Sequence, residues 1–154
     1  MSVPVDPRVR LCVELDFTRD IVFRAVEMEL DRYGINTAQA KLLYILAGQK
    51  EGISLNDIAE LACREFNTVS ILINKMEKRG LVQKAKIAGD DKAYISLTPE
   101  GKTLWGETIT TQAMTLIFDS LTDQERTELK GILQKLQHTA RELMGLNYKP
   151  PFLP

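Results

Sequence analysis

The chain has 154 residues, 44% hydrophobic and 27% charged, which is typical of one globular domain. Its net charge of −1 excludes a uniformly basic protein that coats nucleic acid, but it is compatible with a local basic surface. Cys12 and Cys63 are too few for a disulfide framework, no apolar run could span a membrane and no secretory leader opens the chain. We therefore expect a cytoplasmic protein with no membrane partner.

The first predicted element is a long helix over 7–33, which ends before Gly34. A surface helix normally carries one apolar stripe, whereas this helix carries two. The second stripe predicts packing against a partner chain, because the helix lies at the end of a small domain. The stripes are Leu11, Leu15, Val22 and Val26 on one side and Val13, Phe17, Ile21 and Met28 on the other.

Three shorter helices follow, each preceded by a residue that can cap its first turn. The second and third are joined by a tight turn, Cys63-Arg64-Glu65, and therefore form a candidate helix-turn-helix. The helices are predicted over 38–47 after Asn36, over 55–62 after Ser54, and over 68–79 after Asn67.

After Gly80 the pattern changes to that of a β-hairpin, with strands near 81–86 and 94–97 on either side of the turn Gly89-Asp90-Asp91. Thr98-Pro99-Glu100 then predicts one helix to about Ser120, roughly 34 Å long. Thr122 and Glu125 form a capping box that starts the last helix. Its apolar stripe predicts association, and the members are Leu129, Ile132, Leu133, Leu136, Ala140 and Leu143.

The order helix-turn-helix, hairpin and long capped helix is typical of a winged helix-turn-helix. Four segments at this spacing resemble the MarR family of bacterial transcription regulators, and the resemblance covers nearly the whole chain. The segments are LNDIAELA at 55–62, NTVS at 67–70, MEKRGLV at 76–82 and LTPEG at 97–101.

The resemblance implies a mainly α fold in one domain, 1–154. In that fold a winged helix-turn-helix lobe over 35–97, with a small β-hairpin wing, lies between long dimerisation helices at 7–33 and 98–145. It also implies a homodimer that binds double-stranded DNA at a pseudo-palindromic operator.

The resemblance identifies helix 68–79 as the recognition helix of the DNA major groove and the hairpin as a wing that reaches the minor groove. The pattern agrees, because Val69, Leu72, Ile73 and Met76 can face the core while short polar residues and lysines face outward. The candidate DNA-binding residues are Arg64, Asn67, Thr68, Ser70, Ile71, Asn74, Lys75, Lys78, Lys84, Lys86 and Lys92.

Charge is distributed as this interpretation requires. Residues 63–92 include seven basic and four acidic side chains, a local charge of +3 in a chain of −1. The family usually has Asp-x-Arg at the wing tip, where this chain has Asp90-Asp91-Lys92, and lysine lacks the planar fork of arginine. Ile71 stands where the family often has arginine, and either contact with a thymine methyl group or packing would explain it.

The resemblance also implies a ligand cleft where the long C-terminal helix meets the lobe. Trp105 is predicted to pack at this junction, and Tyr33, Tyr44 and Trp105 are the candidates for the wall of an effector cleft. The implied effector is a small aromatic or acidic molecule, and the sequence does not identify it.

Cys12 lies in the phrase Leu11-Cys12-x-x-Leu15, which resembles the reactive-cysteine segment of the hydroperoxide-sensing branch of the family. That branch has tyrosines four and fourteen residues later, where this chain has Asp16 and Val26. A buried, inert thiol is therefore the favoured interpretation, and a redox sensor is the alternative.

The leading hypothesis is a DNA-binding repressor that responds to a ligand. The alternatives are a protein-interaction module that has kept the winged fold without reading DNA, and a thiol-based redox regulator acting through Cys12. We predict no enzyme, metal site or cofactor, since there is no catalytic triad, metal-ligand cluster or phosphate-binding glycine loop.

Overall fold

The computed structural model describes residues 4–146, which form seven α-helices and one three-stranded antiparallel sheet. The predicted mainly α winged helix-turn-helix is therefore confirmed. None of the described helices is both long and apolar enough to cross a membrane. The elements are α1 (Pro7–Leu30), α2 (Thr37–Ala47), β1 (Ile53–Ser54), α3 (Leu55–Ala62), α4 (Phe66–Lys78), β2 (Val82–Lys86), β3 (Ala93–Leu97), α5 (Pro99–Thr108), α6 (Gln112–Asp119) and α7 (Asp123–Leu143).

The sheet has the order β1-β3-β2, and the predicted hairpin is its β2–β3 pair. Val82 lies opposite Leu97 at the base of the hairpin, and Lys86 lies opposite Ala93 near its tip. The strand β1 was missed by sequence analysis, because two residues are too short to show an alternating pattern. It pairs Ile53 with Ile95 and so joins the helix-turn-helix to the hairpin.

The core of the winged lobe lies between α2, α3, α4 and the sheet. Leu43, Ile58, Ile73, Met76 and Ile95 are fully buried there. Three of the four predicted inward positions of α4, Val69, Ile73 and Met76, are confirmed as core, and Leu72 packs partly buried against them. The apolar face of α4 therefore fixes which of its side chains point away from the lobe.

Helix starts follow the predicted caps in four places. Asn36 and Thr122 form complete capping boxes with Gln39 and Glu125, and Ser54 and Thr98 each accept a backbone N–H with their hydroxyls. Asn67 is different, because it lies inside α4 and Glu65 is the residue that precedes the helix. The left-handed backbone of Cys63, with φ of 52°, turns the chain early enough for α4 to begin at Phe66.

The prediction of one helix from Thr98 to Ser120 is wrong, because α5 ends at Thr108 and α6 starts at Gln112. The hydroxyl of Thr111 accepts the N–H of Met114 at 3.0 Å and caps the new helix. The carboxylate of Glu29 in α1 also accepts the N–H groups of Gln112, at 2.8 Å, and Ala113. A carboxylate from another helix thus satisfies the first N–H groups of α6.

The N-terminal part of α1 and most of α7 are open to solvent. In α1 only Val26 and Leu30 are buried, and α7 makes no extensive packing contact with another described helix or strand.

Cys12 is exposed, so the prediction of a buried thiol is wrong for this single chain. The turn of α1 that contains Cys12 does not pack against the core, because both apolar stripes of α1 are exposed at this end of the helix.

Candidate nucleic-acid interface

The exposed side of α4 carries short polar groups and lysines. Inward packing by Val69, Ile73 and Met76 places the predicted outer residues on the opposite side, where Ile71 is 56% exposed. Ile71 is therefore not a core residue. Of the predicted outer residues of the helix, Asn67, Thr68, Ile71, Asn74, Lys75 and Lys78 are exposed and Ser70 is half-buried.

The end of α4 is held by Arg79, whose exposed side chain forms hydrogen bonds to another segment of the lobe. Its guanidinium donates to the carbonyl oxygens of Gly34 at 2.6 Å and Tyr33 at 3.1 Å. The bonds join the end of α4 to the turn before α2, so Arg79 orients α4. Tyr33 takes part through its backbone and does not line the cleft described below, which corrects its prediction as a cleft residue.

The wing tip is braced by Asp90. One carboxylate oxygen accepts the backbone N–H of Lys92 at 2.9 Å, and the other accepts the hydroxyl of Tyr94 at 2.6 Å. The Tyr94 hydroxyl, followed by the Lys92 N–H, lowers the pKa of Asp90. Gly89 turns the chain with a φ of 85°. The brace leaves the ammonium group of Lys92 exposed at the end of the hairpin.

Lys84 links the wing to α4. Its ammonium group lies 3.2 Å from the carboxylate of Glu77 and donates to the side-chain oxygen of Asn74. The outer face of α4 and strand β2 therefore adjoin in one surface. Lys84 is partly neutralised there, and the Asn74 oxygen that a base contact would need is already occupied.

The remaining predicted basic residues are available to a polyanion. Within residues 4–146 their side chains form no ion pair and no hydrogen bond, and all are exposed. Unpaired cations on adjoining elements are the feature that binds a phosphate backbone. These residues are Arg64 in the turn, Lys75 and Lys78 on α4, and Lys86 and Lys92 on the wing.

A cleft of about 830 Å³ opens beside this surface, between α1, α2, α4 and α5. Of the predicted wall residues, Tyr44 and Trp105 line it and their rings meet edge to face with centroids 5.5 Å apart. Phe23 of α1 adds a third aromatic side chain. Trp105 is half-buried, as its predicted packing position requires.

Cationic side chains line the same cleft, and sequence analysis missed two of them. Arg19, Lys41 and Arg64 are the charged residues in its described lining, which contains no aspartate or glutamate. Lys41 is the single charged residue of α2, and that isolation was a signal available in the sequence. Arg19 stood among the many charges of α1, where nothing distinguished it.

Comparison with known proteins gave consistent matches. The MarR family model matches residues 35–94. The chain is 35% identical over 115 residues, 71% of its length and 76% of the relative, to the HTH-type transcriptional regulator YsmB of Bacillus subtilis. It is 29% identical over 116 residues to the homoprotocatechuate degradative operon repressor of Escherichia coli, covering 75% of this chain and 74% of that one.

A solved structure shows the same fold at lower identity. The structure of Bordetella bronchiseptica BpsR, whose DNA binding is regulated by 6-hydroxynicotinic acid, matches with a TM-score of 0.74 and 22% identity. The match covers 83% of this chain and 98% of that chain. The match therefore extends beyond the winged lobe.

Proposed function

Because this chain belongs to the MarR family of transcriptional regulators, we propose that it is a homodimeric, ligand-responsive repressor that binds a pseudo-palindromic operator. Each winged lobe places α4 in a major groove and the β2–β3 wing over the neighbouring minor groove. Half-sites are separated by about one helical turn, roughly 10 bp. The two relatives named as a regulator and a repressor support this proposal.

The observation that carries the DNA-binding role is the set of unpaired cations around α4. These cations, Arg64, Lys75, Lys78, Lys86 and Lys92, surround the outward residues of α4, while the chain as a whole is slightly acidic. A polyanion is attracted to such a local surface and would be repelled by the rest of the molecule. Thr68 and Ile71 are then placed to contact base edges.

The dimer is supported by the open faces of α1 and α7. Phe17 and Ile21 in α1 and Ile132 and Leu136 in α7 are all more than half exposed in the single chain. Apolar faces of this extent are normally covered by a partner, and both helices lie outside the winged lobe. A second copy of the chain would cover them and present two lobes to one operator.

The effector role is supported by the cleft between the helices and the lobe. Its aromatic wall, with Tyr44 and Trp105, and its cations, with Lys41 and Arg64, suit a small aromatic or acidic molecule. 6-Hydroxynicotinic acid, which regulates DNA binding by BpsR, is an example of such a molecule for a protein of the same fold.

Selection of genomic DNA by the purified protein tests the function directly. We expect recovery of a few fragments that share a pseudo-palindrome, with an affinity that falls steeply as salt rises. Weak, salt-insensitive binding to every fragment would contradict the proposal. Capture of a protein partner with no enriched fragment would instead support the interaction-module alternative.

Replacement of Lys75 or Lys78 by alanine is expected to weaken DNA binding on all sequences alike. Each change removes one unpaired charge, so the slope of log affinity against log salt should fall by about 1. Fluorescence anisotropy over a salt series measures both quantities. Lys130→Ala removes an exposed lysine from α7, which makes no extensive packing contact with the wing, and should leave the slope unchanged.

Glu77→Gln is expected to strengthen DNA binding. The carboxylate 3.2 Å from Lys84 neutralises that ammonium group and repels phosphate, and glutamine keeps the shape without the charge. Affinity at low salt should rise severalfold, about the effect of one exposed charge pair. Glu107→Gln on α5 is the matched control. Weaker binding by the Glu77 variant would show that the ion pair is needed to position the wing.

A further inference from the structure

The C-terminal end of α1 joins the winged lobe to a helix outside it. Val26 and Leu30, in the last two turns of α1, are buried with the core of the lobe. Between them in sequence, the carboxylate of Glu29 accepts the first N–H groups of α6, from Gln112 at 2.8 Å and from Ala113. The end of α1 is therefore a junction at which α6 and the lobe are held together.

The helix α4 is attached to the same junction by Arg79. Its Nη1 group donates to the carbonyl oxygen of Gly34 at 2.6 Å, and its Nη2 group donates to that of Tyr33 at 3.1 Å. Both carbonyl groups belong to the turn that follows α1. Because a guanidinium group is planar and rigid, two bonds from separate nitrogen atoms fix its orientation as well as its distance.

Arg79 lies at a helix end that is itself well defined. The N–H of Leu81 donates to the carbonyl of Met76 at 3.0 Å, and the N–H of Gly80 donates to that of Glu77 at 2.9 Å. Gly80 has the left-handed backbone, with φ of 71°, that this pair of bonds requires in a Schellman motif. The contacts of Arg79 therefore act on α4 as one rigid element.

In the proposed dimer, a small tilt at this junction becomes a large displacement at the operator. The helix α1 has 24 residues and is roughly 36 Å long at 1.5 Å per residue. A tilt of about 10° at one end of such a helix displaces the other end by about 6 Å. One additional base pair separates two half-sites by only about 3.4 Å. The spacing that both lobes can bind at once therefore depends on the angle held at the junction.

We propose that Arg79 and Glu29 are positioning residues that set the angle between α4 and the helices of the dimer. They thereby determine which half-site spacing the protein binds, and neither residue needs to touch a base. The inference rests on the proposed function and adds to it a source of operator specificity that is separate from the outward side chains of α4.

Two conservative substitutions test the proposal. Arg79→Lys keeps the positive charge but replaces the rigid fork by a single ammonium group. Glu29→Gln keeps the shape but puts an NH₂ group, which cannot accept a hydrogen bond, in place of one carboxylate oxygen. Arg32→Lys and Glu27→Gln make the same changes at neighbouring positions that take no part in the hydrogen bonds of the junction, and they serve as matched controls.

The measurement uses the operator recovered by genomic selection, with the spacer between its half-sites shortened or lengthened by one or two base pairs. A duplex with a single half-site is included, because its affinity depends on the contacts of one lobe. Fluorescence anisotropy is recorded at concentrations where sedimentation shows each protein to be a dimer. We expect the unchanged protein to bind the original spacing about tenfold or more tightly than a spacing altered by one base pair.

This preference for the original spacing should fall by about threefold or more in Arg79→Lys and in Glu29→Gln, because a looser junction weakens the geometric requirement for simultaneous binding. Both controls should keep the preference, and all variants should keep the half-site affinity. Retained half-site affinity distinguishes a change in the angle from damage to the lobe.

An unchanged spacing preference in the two variants overturns the proposal. Equal loss of affinity for every duplex, the half-site included, also overturns it, since that result shows a role in stability alone. If the unchanged protein binds its operator without any spacing preference, the inference fails and the DNA-binding function stands. If no genomic fragment is enriched, the proposed function fails and the inference fails with it, so the two failures are distinguishable.

Discussion

Gly101→Ala is expected to destabilise the winged lobe by about 3 kcal/mol or more, at the upper end of the effect of overpacking a core. Gly101 is buried in the first turn of α5, and a Cβ atom there would lie 2.0 Å from the carbonyl oxygen of Leu81. It would also lie 3.3 Å from the side chain of Leu97. The backbone must therefore move, since the nearest obstacle is not a flexible side chain.

The Leu81 carbonyl cannot move without breaking other contacts. It accepts the backbone N–H of Thr98 at 3.1 Å, and the Thr98 hydroxyl donates to the carbonyl of Gly80. The same hydroxyl accepts the N–H of Gly101 at 3.0 Å. These bonds join the start of α5 to the segment between α4 and the wing, so a shift at residue 101 would disturb both.

Gly106→Ala is the matched control on the same helix. Apart from the backbone of α5 itself, no atom of residues 4–146 lies within 4 Å of a Cβ built at Gly106, so alanine should fit and raise stability by about 1 kcal/mol through its helix propensity. Urea denaturation of both variants at one protein concentration measures the difference, because the stability of a dimer depends on concentration. Similar midpoints for the two variants would contradict the close approach of α5 to Leu81.

Leu136→Asp is expected to convert the dimer to monomer and to lower operator affinity by roughly a hundredfold or more, since two linked lobes bind far more tightly than one. Leu136 is 53% exposed on α7, in the apolar stripe with Ile132 and Leu143. An aspartate in the buried seam of a dimer would lose hydration without gaining a partner.

The fold of each monomer should survive this substitution, because α7 makes no extensive packing contact within residues 4–146. Thr127→Asp introduces the same charge roughly 180° around α7 from Leu136 and should leave the dimer intact. Analytical ultracentrifugation reports the oligomeric state, and circular dichroism reports the fold. A Leu136 variant that sediments as a dimer would place the interface elsewhere.

The starts of most helices could be predicted because their signals are local. A cap joins residues three positions apart, so Asn36 with Gln39 and Thr122 with Glu125 specify their turns whatever surrounds them. The apolar period of α4 likewise separates Val69, Ile73 and Met76 from the outward residues. Asn67 failed as a cap because Cys63 adopts a left-handed conformation, which is unusual for a residue other than glycine.

The sequence by itself determined the order of the first four helices, the hairpin, the polar face of α4 and the concentration of basic residues around it. Only the tertiary structure decided which charges remain available. Arg79 is committed to Gly34, Lys84 to Glu77, and Glu29 of α1 helps to start α6 and so divides the long helix. These contacts join residues from 7 to more than 80 positions apart in the chain, beyond the reach of any helical period or cap. For the same reason the cleft, with Lys41 beside Arg64, appears only when α2 packs against the turn before α4.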